Sequence, residues 1–169
     1  EIYTLSLHDA LPIYELSTKG GPGLWANMNA NHDLSRFVSA QEGRYEMAYA
    51  ELANGRKRSH WMWYIFPQLS GLGSSPMARR YALSGLEEAK AFLAHPLLGT
   101  RLVNISALLL SLDKGNPTEI FGSPDDIKLR SSMTLFALAR PEEPVFQQVL
   151  DRFFGGDKDP LTLRLLRIG

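Results

Sequence analysis

The stretch SHWMWYIFPQLSGLG, residues 59–73, is the most distinctive part of this chain. It places two tryptophans, a tyrosine and a phenylalanine within six positions, with His60 in front of them. A helix on a protein surface needs a polar face, and this segment has almost none. We therefore expect it to be buried on most sides or to line a pocket.

The two tryptophans of this run lie two positions apart, which is about 200° around a helix. Trp61 and Trp63 are therefore expected on different faces, and an aromatic run at helical spacing is typical of a protein core. The alternative is a stacking platform for a base or a sugar. Pro67 ends the predicted helix, so the Gln68 amide lies where it can reach a backbone group or a ligand.

The composition is that of an ordinary globular protein. The 169 residues are 44% hydrophobic and 21% charged, and they suggest one domain. The formal net charge is zero, so we expect neither nucleic acid nor a membrane as a partner. The chain has no cysteine, which excludes disulfides and thiolate metal sites and fits a cytoplasmic location. No motif in the chain indicates a cofactor.

Helix signals recur along the rest of the chain. From Asp33 to Gly55 the apolar residues fall at steps of three, four and seven, which predicts a helix that Gly55 ends. Five X-Pro pairs follow, at residues 75–76, 95–96, 116–117, 123–124 and 159–160. In four of these five pairs the residue before proline is Ser, Asn or Asp, an order typical of a helix start.

These signals predict an all-α protein. Ser84 with Glu87 is typical of a capping box at another helix start. The alternating pattern of strands bounded by hairpin turns is missing. We therefore predict a single compact domain of about seven or eight helices.

The first residues do not belong to this pattern. Residues 1–13, EIYTLSLHDALPI, are the conceptual translation of a common sequencing adapter, and residues 14–27 are glycine-rich and aperiodic. We interpret residues 1–27 as an artefactual or disordered extension in an assembled metagenomic sequence. Met28 is then the expected start of a helical domain over residues 28–169.

Three blocks of the chain carry a family resemblance. They are GRKRSHWMWYIFPQLSGLG at 55–73, EIFGSPDDIKLRSSMTLF at 119–136 and VLDRFFGGDKDPLTLRLL at 149–166. Together they resemble the bacterial domain-of-unknown-function 1810 (DUF1810) family over roughly residues 33–166. The resemblance implies a small, mainly helical protein, with no established activity and no agreed catalytic residues. Some members carry the label calpastatin, which describes disordered inhibitors and does not fit a compact apolar chain.

Polar residues around the aromatic run have two interpretations each. His60 is a candidate general base or ligand donor, or else a buried residue that holds a helix end. Lys57 lies in a basic triplet, 56–58, that can complement the preceding helix dipole or bind an anion near the next helix start. The HExxH pairing of a zinc site is absent, so we expect no metal. The loop at 71–76 lacks the Gly-Lys-Ser/Thr ending of a P-loop.

The second block places hydroxyls and charges inside a predicted helix. Asp126 falls in its first turn, where a carboxylate favours the helix dipole. Three hydroxyls follow at positions 131, 132 and 134, an unfavourable pattern unless each bonds a partner. Lys128 and Ser132 are four residues apart and share a helix face. A Ser-Lys pair can support nucleophilic catalysis, although no motif confirms that role here.

Two hypotheses follow. The first is a site that binds, with or without turnover, a small polar anionic or nucleotide-like metabolite. Its candidate residues are Lys57, His60, Trp63, Gln68, Asp126, Lys128 and Ser132. The second is a helical interaction module without catalytic activity, in which the same residues serve as caps and core. The first hypothesis expects His60, Gln68, Asp126 and Lys128 to converge around one open cavity.

Overall fold

The structure, a computed structural model, describes residues 32–168, and its regular elements are helices. The ten helices of this range are α1 Ser35–Gln41, α2 Arg44–Ala53, α3 Met62–Ile65, α4 Pro76–Arg80, α5 Leu86–Ala94, α6 Pro96–Leu110, α7 Pro117–Phe121, α8 Asp125–Ala139, α9 Val145–Phe154 and α10 Pro160–Leu165. The all-α prediction is confirmed. The predicted extension over residues 1–27 lies outside the described residues.

The helix count exceeds the prediction because several helices are short. Four of the ten, α3, α4, α7 and α10, contain only four to six residues. The segment from Asp33 to Gly55 is also two helices rather than one. Gly43 separates them with a φ of 70°, a left-handed conformation that interrupts a right-handed helix. Gly55 does end α2, as the sequence predicts, with a φ of 80°.

Three of the predicted proline-linked caps are present. Ser75, Asn116 and Asp159 accept hydrogen bonds from the first-turn backbone N–H groups of α4, α7 and α10. Ser123 does not cap α8, and the Ser123–Pro124 peptide bond is cis. The predicted capping box of Ser84 with Glu87 also forms differently. The Ser84 N–H donates to the Glu88 carboxylate at 2.9 Å rather than to Glu87.

His95 caps α6 in a way that the sequence did not reveal. Its Nδ1 atom accepts hydrogen bonds from the N–H groups of Leu97 at 3.1 Å and Leu98 at 3.3 Å. Burial, assisted by the nearby Arg101 guanidinium, lowers the pKa of His95 to about 4. The imidazole is therefore neutral near pH 7 and keeps the lone pair that the cap requires.

The longer helices enclose the core. Helix α8 packs against α5, α9 and α10, while α6 packs against α5, α9 and α2. A row of four buried rings, Phe37, Phe92, Phe136 and Phe146, runs through these layers with centroid separations of 5.1, 5.5 and 5.7 Å. Such a row of edge and tilted contacts fixes the relative positions of α1, α5, α8 and α9.

Helices α5 and α6 meet at a sharp corner of 94°. A Cβ atom on Gly99 would lie only 2.0 Å from the backbone oxygen of Leu93, so only glycine fits at this corner. No helix within residues 32–168 is by itself long and apolar enough to cross a membrane, and α5 with α6 meets that criterion only as a bent pair, by length and composition.

The aromatic run forms a single helical turn, α3, rather than a longer helix. Its place is fixed by a buried polar chain, in which Gln41 donates to the backbone oxygen of Tyr64 at 2.9 Å and accepts from Arg101 at 3.2 Å. These bonds connect α1, α3 and α6. The two tryptophans face different surroundings, as predicted: Trp61 is fully buried, while Trp63 is partly exposed.

Candidate functional site

A closed loop follows the aromatic run and shapes the candidate site. Two backbone bonds close it: Ser70 N–H donates to the Leu83 oxygen at 2.8 Å, and Leu83 N–H donates to the Gln68 oxygen at 2.9 Å. Helix α4 lies inside this loop. The loop approaches α4 so closely that a Cβ atom on Gly73 would lie 2.7 Å from the Cβ atom of Ala78. Hydrogen bonds therefore close the loop at its ends, and close packing against α4 restricts its middle.

The first cleft, of about 270 Å³, lies between α3, this loop and α4. Three of the side chains that line it carry N–H donors: Trp63, Gln68 and Arg79. Trp63 Nε1 is buried without an acceptor. Within residues 32–168, the side chains of Gln68 and Arg79 form no hydrogen bond or ion pair. The first cleft thus concentrates donors that the described part of the chain does not satisfy.

The second cleft, of about 350 Å³, adjoins the first. It shares Gln68, Gly73 and Ala78 with the first cleft, and its other walls include the first turns of α8 and α10. Lys128 lies on this wall, with Nζ 5.5 Å from the centre of the Trp63 ring. The distance from Lys128 Nζ to Asp125 Oδ1 is 3.6 Å. The two clefts therefore form one continuous depression with Gln68 between its parts.

Lys57 has a structural partner rather than a place in either cleft. Its Nζ lies 2.8 Å from Asp125 Oδ2 and 4.9 Å from the centre of the Trp61 ring, and its side chain is only 7% exposed. Two lysines therefore share the one carboxylate of Asp125. The group of Lys57, Asp125 and Lys128 retains a net charge of +1 beside the second cleft.

The remaining predicted residues lie apart from this depression. His60 is exposed and lines neither cleft, and its backbone oxygen accepts a hydrogen bond from the Tyr64 hydroxyl at 3.4 Å. Asp126 accepts from the Thr118 hydroxyl at 2.6 Å. Ser132 is fully buried. The four residues expected around one cavity therefore divide: Gln68 and Lys128 share the second cleft, whereas His60 and Asp126 do not line it.

Two of the three helix hydroxyls have structural roles. Asp159 Oδ2 accepts hydrogen bonds from the Ser131 hydroxyl at 3.0 Å and from both the N–H and the hydroxyl of Thr162. The Thr134 hydroxyl accepts from the Asp159 N–H at 2.9 Å. These bonds join the start of α10 to α8. The Ser132 hydroxyl is buried and has no hydrogen-bond partner among residues 32–168.

Glu51 organises the segment before the aromatic run, a role that no sequence pattern indicates. Its carboxylate accepts from the N–H groups of Arg58 at 2.8 Å and Ser59 at 2.9 Å, from Trp61 Nε1 at 2.9 Å, and from the Ser59 hydroxyl. Burial acts to raise the pKa of Glu51, but the bonds from Ser59, Arg58 and Trp61 together lower it to about 2. The carboxylate is therefore ionised at neutral pH.

Arg79 is the other residue that sequence reasoning did not select. A signal was present, because Arg79 and Arg80 end the short helix that follows the predicted 71–76 loop.

As for metals, no group of three or more His, Asp or Glu side chains in the described range 32–168 could hold an ion.

The comparisons with known proteins agree with this architecture. The model of a family described as a protein of unknown function (DUF1810) matches residues 31–166, and the chain belongs to this family. The crystal structure of the conserved hypothetical protein Rv1873 from Mycobacterium tuberculosis is similar, with 51% sequence identity and a TM-score of 0.79. The match covers 81% of this chain and 98% of that one. No curated protein matches the chain.

Proposed function

We propose that this protein binds a small polar, anionic metabolite, of which a nucleotide-like compound is one example, in the first cleft. The observation that carries the proposal is the set of donors around that cleft: Trp63, Gln68 and Arg79 all line it, and none has a partner for its side-chain donors within residues 32–168. Arg79 is exposed, whereas Trp63 and Gln68 are partly buried, and partly buried donors in folded proteins usually have acceptors. A ligand rich in acceptor oxygens would supply them.

Charge favours an anion in this position. Arg79 offers a planar guanidinium with several donors, which suits a carboxylate or phosphate bound through two oxygens. The Gln68 amide can donate to the same group. Because Arg79 has no carboxylate partner within residues 32–168, an anion would not compete with an existing ion pair.

Trp63 would adjust on binding. Its Nε1 atom is covered as well as unpaired, so pairing with a ligand requires the ring to rotate toward the cleft. The ring is partly exposed, which leaves room for that rotation. Lys128, next to the same ring, would then lie beside the ligand. The proposal is one of binding and includes no reaction. The lack of cysteine fits a reducing cytoplasm as its setting.

A thermal-shift screen with a matched pair of arginine variants tests the proposal. Inorganic phosphate, pyrophosphate, nucleotides and small carboxylates are added to the wild-type chain and to Arg79→Gln and Arg80→Gln. Both variants remove one positive charge, but the Arg80 side chain packs on Tyr81 and lines neither cleft. A compound that binds the first cleft raises the melting temperature of the wild type and of Arg80→Gln. The same compound leaves Arg79→Gln unchanged.

Two results would contradict the proposal. One is that no anion raises the wild-type melting temperature. The other is that Arg79→Gln and Arg80→Gln lose the shift equally, which would indicate general charge attraction rather than a site. Either result favours the second hypothesis, a helical interaction module.

A further inference from the structure

The second cleft holds the two most exposed large hydrophobic side chains of the described part of the chain. Ile127 is 58% exposed and Leu161 is 53% exposed, compared with 47% or less for Leu165, Met47 and the others in this class. Both line the second cleft. Single exposed apolar side chains are ordinary, but two that line one depression give it an apolar wall, which is a feature of binding grooves.

The position of these two side chains is fixed by the fold. Ile127 lies in the first turn of α8 and Leu161 in the first turn of α10. The bond from Ser131 to Asp159, which joins α8 to the start of α10, holds the two turns together. The apolar pair is therefore a built feature of the cleft and does not depend on a flexible tail.

We infer that the ligand of the proposed site carries an apolar group next to its anionic group, and that this apolar group lies in the second cleft between Ile127 and Leu161. The inference rests on the proposed function, since it extends the ligand from the first cleft into the second. The two clefts share Gln68 and Gly73, so one small molecule can occupy both.

Charge and size support an apolar group rather than a second anion. Asp159, a carboxylate that is only 5% exposed, also lines the second cleft. Its charge offsets the net charge of +1 of the neighbouring lysine–aspartate group, so the second cleft has no excess positive charge that would hold a second anion. Lys128 on the same wall already shares the carboxylate of Asp125. Small-molecule sites usually measure about 300 to 1,000 Å³, a range that the first cleft at about 270 Å³ reaches only together with the second.

A series of alkyl phosphates and alkyl carboxylates tests this inference on the full chain. Methyl and hexyl phosphate, and acetate and heptanoate, are titrated by calorimetry into the wild type and into Ile127→Gln, Leu161→Gln and Met47→Gln. Affinity in the wild type should rise by up to about fourfold for each buried methylene. Over the full series we expect a gain of at least about tenfold.

The variants locate that gain. Ile127→Gln and Leu161→Gln should reduce the gain from methyl to hexyl while leaving the affinity for methyl phosphate unchanged. Met47→Gln, which replaces an exposed hydrophobic residue of α2 outside both clefts, should behave as the wild type. Ile127 and Leu161 are exposed, so these variants should fold, and an unchanged melting temperature confirms it.

The outcomes separate the inference from the proposed function. If short anions bind in an Arg79-dependent way but chain length has no effect, the inference is wrong and the proposed function stands. A length effect that survives both Ile127→Gln and Leu161→Gln also overturns the inference, because the alkyl chain then lies elsewhere. If neither series binds the wild type, the inference is wrong, and the proposed function is wrong as well if the thermal-shift panel of phosphate, pyrophosphate, nucleotides and carboxylates also gives no shift.

Discussion

Trp61 and Trp63 lie two residues apart in the same aromatic run, yet they differ in burial and in hydrogen bonding. Trp61 is fully buried beside Phe66 and Phe121, and its Nε1 atom donates to Glu51 at 2.9 Å. Trp63 lies beside a cleft, and its Nε1 atom has no acceptor. Residue type and spacing are therefore enough to identify the aromatic run. The hydrogen-bond partners of each indole N–H then distinguish a structural tryptophan from a candidate ligand contact.

The largest expected effect is on stability, at Trp61. Trp61→Ala should lower the free energy of unfolding by about 4 kcal/mol, because it opens a cavity in a fully packed region. Trp63→Ala should cost clearly less, since that ring is partly exposed. Urea denaturation of the two variants measures the difference. Equal losses in the free energy of unfolding would show that the two rings contribute equally to stability, which would contradict the proposed difference between Trp61 and Trp63.

The acceptor of Trp61 provides the second test. Glu51→Gln should lower the free energy of unfolding at pH 7 by about 2 kcal/mol, because the amide cannot accept all the bonds that the carboxylate accepts. Glu87→Gln is the matched control, since the Glu87 side chain is 81% exposed and, in the described part of the chain, bonds only to Lys90. If Glu51→Gln lowers the free energy of unfolding no more than Glu87→Gln does, Glu51 does not organise the segment before the aromatic run.

Glu51 also predicts a pH dependence. Its pKa is about 2 in the folded protein, below the ordinary value of 4.5. The folded state therefore binds this proton less readily, and the stabilisation is fully present above about pH 4.5 and is lost as the pH falls toward 2. Urea titrations between pH 5 and pH 2.5 should show a shallower loss of stability in Glu51→Gln than in the wild type. Identical slopes would contradict this prediction.

Adjacent serines on α8 repeat the comparison at smaller scale. Ser131→Ala should destabilise the protein by about 1 kcal/mol, because the Ser131 hydroxyl bonds to Asp159. Ser132→Ala should stabilise it by about 1 kcal/mol, because the Ser132 hydroxyl is buried without a partner. Thermal or urea unfolding measures both. If both variants lost a similar amount of unfolding free energy, the Ser132 hydroxyl would have a hydrogen-bond partner, contrary to this prediction.

The smallest expected effect on stability is at Trp63 itself. Trp63→Phe removes the unpaired donor and keeps an aromatic ring, so the free energy of unfolding should change by no more than about 0.5 kcal/mol. Binding of an anion should nevertheless weaken, because the ligand loses a donor. A variant that is strongly destabilised would indicate that Trp63 Nε1 already serves the fold.

Much of the fold could be predicted from local signals. The Ser75, Asn116 and Asp159 caps are encoded by a polar residue directly before a proline, and each forms as expected. His95 escaped this rule because its cap depends on a neutral imidazole, a state that burial produces. The break at Gly43 was missed because the apolar spacing continues across it, so periodicity alone could not separate α1 from α2.

The candidate site could be predicted only in part. Gln68 and Trp63 belong to the aromatic run, and Lys128 belongs to a second recognisable block, so sequence patterns could select them. Which of them meet depends on the loop that Leu83 closes, a contact between distant residues. Arg79 enters the cleft through that loop. His60 precedes the same run, but it lies before α3 begins at Met62, and its exposed side chain lines neither cleft.

The most direct test of the account follows the indole N–H signals of Trp61 and Trp63, two of the three tryptophans of the chain, by nitrogen-15 NMR while an anion, with inorganic phosphate or pyrophosphate as the first probe, is added. Trp61→Phe and Trp63→Phe assign the signals. We predict that the Trp63 signal moves and saturates, that the Trp61 signal stays in place, and that Arg79→Gln abolishes the movement while Arg80→Gln does not. If every anion of the panel leaves the Trp63 signal in place, or moves it equally in Arg79→Gln, the first cleft is not the anion site.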